Sequence, residues 1–169
     1  MLDLWAILVF IIPPYIANAA PVVLGGGPPV DFGAVAWDKR RWLGDGKTWR
    51  GLAAGVGAGA LASALLSYLL SAPWILLMGT LASCGAMLGD LAGSFIKRRM
   101  GIERGKPSFV MDQLLFIVFA LVLAAPVLVH ELPAVLRAES VATIMVLTYV
   151  MHRAANIAAN RLGLKKVPW

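Results

Sequence analysis

The chain is poor in the residues that soluble proteins use to cover themselves. Only 14% of its 169 residues are charged, and nine of them are acidic. An ordinary soluble domain carries about 25% charge and is about 45–50% apolar, whereas this chain is 60% hydrophobic. Residues 4–30 and 51–89 contain no Asp, Glu, Lys or Arg at all. There is one cysteine, Cys84, so no disulfide can form within the chain, and its place in an apolar run marks it for buried packing. There are two histidines, His130 and His152, with no second His near enough to either to chelate a metal. Alternation of polar and apolar residues in segments of about ten is also missing, which excludes a transmembrane β-barrel.

What is present is a series of long apolar runs, each close to the roughly 20 residues that span a bilayer. They predict an all-α, polytopic membrane protein with five spans: residues 4–23, 51–70, 74–96, 109–129 and 140–160. The first lacks a basic leader, having only Asp3 before it, and so reads as a retained helix. Pro13 and Pro14 leave it open to a kink or a re-entrant bend, with Asn18 as a partner for freed backbone groups. Ser108 is the expected N-cap of the fourth span.

The basic residues are segregated. With five spans, the segments 24–50, 97–108 and 161–169 share one side, and with Arg153 they carry every Lys and Arg except Arg137. This bias predicts an outside N-terminus and a cytoplasmic C-terminus in the cell membrane. Attraction to anionic lipid head groups explains some of these cations, and nothing in their pattern calls for a nucleic acid. It does not explain the acids set among them. Gly51, Gly55 and Gly59 in the second span, and Gly85, Gly89 and Gly93 in the third, repeat every fourth residue, the spacing that lets membrane helices approach closely. The expectation is that spans two and three pack on each other.

Four polar groups stand out. Asp90 lies within the third span, where a carboxylate is costly and normally meets a partner in a polar cavity. Ser94, Lys97 and Arg98 follow it on one helical face. A packing ion pair and a metal or substrate site are both open readings. Asp112 is placed in the first turn of the fourth span, where the helix dipole alone would favour it. Alternatively, it converges with Asp90 as the kind of carboxylate pair that holds Mg²⁺ beside phosphates. His152, Asn156 and Asn160 share a face of the fifth span, either gluing helices or contacting a ligand. Finally, "LGDGKTWRG" (43–51) ends like a P-loop, but Arg41 stands where the opening glycine belongs, and a P-loop needs a strand and a soluble sheet around it. Its Gly46, Lys47, Thr48 and Arg50, at the start of a helix, nonetheless make a phosphate-friendly group. "GGGPPVDFG" (25–33) leaves the first span on the same side.

These stretches, together with "GDLAGSFIKRRMGIERGKPSFVMDQ", resemble the CDP-archaeol synthase family over nearly the full length, and the last is similar to the signature of CDP-diacylglycerol synthases. Gly89, Asp90, Ser94, Lys97, Arg98 and Asp112 match that signature. After Arg98 the chain departs from it, lacking the Lys-Asp pair and the His-Gly-Gly stretch, so lipid-binding details do not carry over. The resemblance implies one transmembrane cytidylyltransferase domain, residues 1–169, acting on CTP and an isoprenoid glycerol-phosphate lipid. It implies Asp90 and Asp112 as Mg²⁺ ligands, catalysis by these acids with Lys97, and CTP contacts from Lys47, Thr48, Arg50, Ser94, Lys97, Arg98 and Asn156. A CTP-dependent polyprenol kinase and a small membrane transporter are the competing readings. The CDP-alcohol phosphotransferase motif is absent.

Overall fold

Five helices follow from the apolar runs: α1 (Leu4–Leu24), α2 (Trp49–Leu69), α3 (Trp74–Arg99), α4 (Leu115–Glu131) and α5 (Ala138–Arg161). The computed structural model describes residues 2–102 and 113–163. Helices α1, α2, α3 and α5 are each long and apolar enough to cross a membrane. The described α4 has 17 residues, at the short limit for a span. No named strand occurs among the described residues, only two isolated antiparallel bridges in the 25–48 loop.

The helix starts are chemically marked. Asp3 caps α1, its Oδ1 accepting from the Ala6 N–H at 3.0 Å. Thr48 caps α2, its Oγ1 accepting from the Gly51 N–H at 3.1 Å. Satisfying these orphan amides is worth about 1 kcal/mol each. Pro13, Pro14 and Pro21 lie inside α1, which runs unbroken from Leu4 to Leu24, so the prolines do not divide the span. Asn18 does not serve freed backbone groups; its Nδ2 lies 3.2 Å from His152 Nε2 on α5. Tyr15 donates to Thr148 Oγ1 at 2.8 Å one turn away. This polar pair of contacts fixes α5 against α1.

In lipid there is little hydrophobic gain in joining helices, so close packing must hold the bundle. On α2, a Cβ at Gly59 would strike Ser83 of α3, and one at Gly55 would strike Met87 of α3 and Ala17 of α1. Reciprocally, a Cβ at Gly79 of α3 would strike Ser63 of α2. Each serine thus fills the gap opposite a glycine, with its hydroxyl bonded to its own helix: Ser63 to Gly59 O and Ser83 to Gly79 O. Gly85 and Gly89 do something else. A Cβ on either would meet α4 backbone, at Phe119–Ala120 and at Leu115–Phe116. Helices α2 and α3 thus pack on each other as expected, through Gly59, Ser63, Gly79 and Ser83, while Gly85 and Gly89, on another face of α3, seat α4. Phe10, Met78, Ile117 and Leu128 are fully buried where α1, α3 and α4 meet.

Helix α4 starts at Leu115, after a turn at Gln113 and Leu114. The expected start near 109 falls outside the described residues. Asp112 itself, with Ser108, lies outside the described residues.

Candidate active site

The site is built at the bundle end where α1 stops and α2 begins. Residues 25–48 fold over this end as an ordered loop. Its stem pairs Val30 N–H with Lys47 O at 2.7 Å and Trp49 N–H with Pro28 O at 3.2 Å. Its outer part, 34–42, closes through Trp42 N–H to Ala34 O at 3.2 Å and Ala36 N–H to Arg40 O at 2.8 Å.

One carboxylate organises the loop. Asp31, its side chain only 3% exposed, pairs with Arg41 Nη2 at 2.6 Å. It also accepts from the Leu43 and Gly44 N–H groups, both at 2.9 Å, from Gly33 N–H at 3.2 Å and from Arg41 Nε at 3.2 Å. The Arg41 guanidinium, with those backbone amides, holds the Asp31 carboxyl well below the usual carboxylate range despite its burial. Arg41, which also pairs with Asp45 at 2.8 Å, is held more firmly charged than a free arginine. The Arg that spoils the P-loop pattern is thus the loop's fastener.

A second latch ties the loop to α3. Arg99 donates to Asp38 Oδ1 and to Arg41 O, both at 2.6 Å, and its guanidinium lies 5.3 Å from the Trp37 and Phe95 ring centroids. Arg40 donates in return to the Arg99 carbonyl at 3.1 Å, satisfying the end of α3.

These fixings deliver Lys47 to Asp90. The Lys47 Nζ donates to both carboxylate oxygens, at 2.7 and 2.6 Å. Both side chains keep contact with solvent, 25% and 34% exposed. The pair lies at a cleft of about 70 Å³ formed by Gly25, Gly26, Gly46, Thr48 and Met87, among others. Gly26 there has φ +102°, a conformation that L side chains rarely adopt. The N-terminus of α2, with its positive dipole end, opens beside this cleft. A lone carboxylate in a membrane helix needs a partner, and the loop supplies one. The ion-pair reading of Asp90 thereby has its partner in Lys47.

The other expected site residues divide. Ser94 is buried on the α3 face that also carries Asp90. Lys97 and Arg98 stand half-buried one turn further on. Thr48 is committed as a helix cap through its oxygen, leaving its O–H to donate. Arg50 is exposed on the first turn of α2, beside Gly27. Asn156 is buried on α5, and His152 packs on Phe116 with ring centroids 5.4 Å apart. Cys84 is half-buried rather than enclosed. Sequence reasoning missed Asp31, Asp38 and Arg99, whose roles depend on loop contacts that no periodicity announces. An Asp in a Gly-Pro-rich loop, ten residues ahead of a misplaced Arg, was the available signal.

A family model described as "CarS-like: CDP-archaeol synthase" matches residues 1–169. A CDP-archaeol synthase of Thermococcus gammatolerans is 44% identical over 98% of this chain and 95% of its own. One of Aeropyrum pernix is 48% identical over 96% of this chain and 90% of its own. A solved structure described as an intramembrane enzyme for archaeal membrane lipids biosynthesis is also similar. It is 40% identical with a TM-score of 0.79, covering 89% of this chain and 92% of its own.

Proposed function

This chain belongs to the CDP-archaeol synthase family, and on that footing we propose that it joins CTP to an isoprenoid glycerol-phosphate lipid, 2,3-bis-O-(geranylgeranyl)-sn-glycerol 1-phosphate. A phosphate oxygen of the lipid attacks the α-phosphorus of CTP, the α–β bridge breaks, and pyrophosphate leaves with its electron pair. The observation that carries the reading is the Lys47–Asp90 pair, held in a cleft at the start of a membrane helix. Reactive phosphates need cations and donors fixed in place before reaction.

The residues present suit Mg²⁺. The ion takes one or two carboxylates and completes its shell with water and phosphate oxygens, and Asp90 already holds a cation, the Lys47 ammonium, on both oxygens. Asp90 and Asp112 would hold Mg²⁺, which when bound neutralises charge on the reacting phosphates. Lys47, released from Asp90, would then face the triphosphate with the Gly46 region and the positive end of α2. Thr48 O–H, Arg50, Ser94, Lys97, Arg98 and Asn156 are the further contacts we assign to CTP. The charge bias supports a cytoplasmic position for this end of the bundle and an N-terminus outside. A polyprenol kinase would use the same acids but attack the γ-phosphorus, and a transporter would release nothing. The test is pyrophosphate release by the purified protein. It is expected only when CTP, Mg²⁺ and the lipid phosphate are all supplied. Release without lipid phosphate, or none with it, would defeat the proposal.

A further inference from the structure

The loop of residues 25–48 is apolar where a water-facing loop would be polar. Phe32 and Trp37 are 72% and 76% exposed, and Val35, Trp42 and Trp49 are exposed as well. Phe32 also holds φ +46°, a left-handed conformation that a bulky side chain adopts only at a cost. Water does not offset that cost for an exposed ring, whereas an apolar partner does.

The rings are level with the ends of two spans. Helix α2 has 21 residues, about 30 Å at 1.5 Å per residue, which matches the hydrocarbon core of a bilayer. Its first residue, Trp49, therefore stands at the membrane boundary, and Phe32 lies beside it with ring centroids 6.4 Å apart. Helix α3 has 26 residues, about 39 Å, so its end, from Phe95 to Arg99, emerges beyond the core. There Trp42 stacks on Phe95 at 5.5 Å, Trp37 meets Trp42 edge-on at 5.7 Å, and the Arg99 guanidinium covers Trp37. The loop thus hangs one aromatic group on the start of α2 and another on the end of α3, at the height where a helix passes from lipid to water. Lys39 and Arg40, exposed just after Trp37, set cations where anionic head groups lie.

We infer that Phe32, Val35, Trp37 and Trp42 seat this loop in the head-group zone of the surrounding bilayer, continuing the lipid-facing surface of α2 and α3 past the ends of the helices. Aromatic rings favour that depth, where an apolar body and polar surroundings are both accommodated. The bilayer is then a third fastener of the segment that carries Lys47, beside the Asp31–Arg41 pair and the Arg99–Asp38 latch.

Two depth measurements on the full-length protein in nanodiscs containing phosphatidylglycerol test it. In the first, Cys84→Ser is the background and a nitroxide is attached at Val35→Cys. Power saturation is expected to show more frequent collision with oxygen than with a water-soluble nickel chelate, and the reverse preference overturns the seating. The second keeps the loop sequence intact apart from Trp37→Phe, and takes the fluorescence of Trp37 as the difference between wild type and variant. In nanodiscs of lipid brominated near the head group, that signal is expected to fall to less than about half its value in plain lipid; a smaller loss overturns the seating. Neither readout involves CTP or a lipid phosphate, so the proposed synthesis of a CDP-lipid stands or falls separately.

Discussion

Replacing Asp31 by Asn is expected to loosen the 25–48 loop although Asp31 is assigned no contact with substrate. The carboxylate accepts five hydrogen bonds: from Arg41 Nε and Nη2, Leu43 N, Gly44 N and Gly33 N. An amide has one accepting oxygen. In one orientation its NH₂ faces Arg41 Nη2 and Gly33 N; in the other it faces Arg41 Nε, Leu43 N and Gly44 N. At least two donors therefore lose their acceptor, and Arg41 loses its buried counter-charge. Breaking a buried pair costs about 3–5 kcal/mol, and with Arg41 28% exposed solvent screening sets the expectation near the lower end, about 3 kcal/mol. At 1.4 kcal/mol per decade, that is about two orders of magnitude in the loop-opening equilibrium. Hydrogen exchange at the Leu43 and Gly44 amides reads it directly. The KM for CTP should rise with it, because Lys47 hangs on the same loop. Exchange within about threefold of wild type would refute the claim that Asp31 fastens the loop. The pH dependence follows in sign. The Asp31 carboxyl is depressed in the folded loop, so its stabilisation is complete above the unfolded carboxyl value, about 3.9. It is lost as pH falls through that value toward the folded one. Loop exchange protection, corrected for intrinsic rates, should stay flat down to about pH 5 and fall only in stronger acid.

The remaining predictions concern the cleft, the packing and the topology. Asp90→Asn and Asp112→Asn should each lower kcat by about a hundredfold or more while the proteins insert and keep wild-type helical content by circular dichroism; normal turnover at saturating Mg²⁺ would remove that residue from the metal assignment. Lys47→Ala should weaken CTP binding by about 1.5–3 kcal/mol, the worth of a charged hydrogen bond, and lipid binding by less; unchanged CTP affinity by calorimetry would count against the loop as a triphosphate site. Gly89→Val, whose side chain would strike the Leu115 carbonyl and the Phe116 backbone, should cost about 1–3 kcal/mol or more in unfolding, whereas Gly57→Ala, with open space around it, should cost nothing measurable. With Cys84 replaced, Leu2→Cys and Val167→Cys should label from opposite sides of sealed vesicles, and equal protection would defeat the five-span arrangement.

The helices were legible because apolar length is written into the chain: four of the five expected spans fall within a few residues of the observed helices. The expected start of the fourth lies outside the described residues, and the turn at Gln113 and Leu114, just before α4, leaves no mark in hydropathy. Helical spacing put Asp90 and Ser94 on one face of α3 correctly, since a period of 3.6 converts sequence into direction. Which face meets which neighbour is a tertiary matter, and so the packing of α2 on α3 was legible while the seating of α4 on Gly85 and Gly89 was not. Continuity of α1 through three prolines was illegible for a related reason: its support comes from surrounding helices rather than from its own residues. The loop was the least readable element. Its order rests on Asp31, Arg41, Asp38 and Arg99 meeting across 10 to 61 positions, and no local pattern predicts such pairs.

Attack on the α-phosphorus of CTP at the Lys47–Asp90 cleft is decided by wild-type protein supplied with lipid phosphate and CTP labelled with ³²P at either the α or the γ position. The α label is expected to pass into the organic phase as CDP-lipid while γ label stays in water as pyrophosphate. Recovery of γ label in the lipid fraction, with CDP left in water, would contradict it and assign the cleft to a kinase.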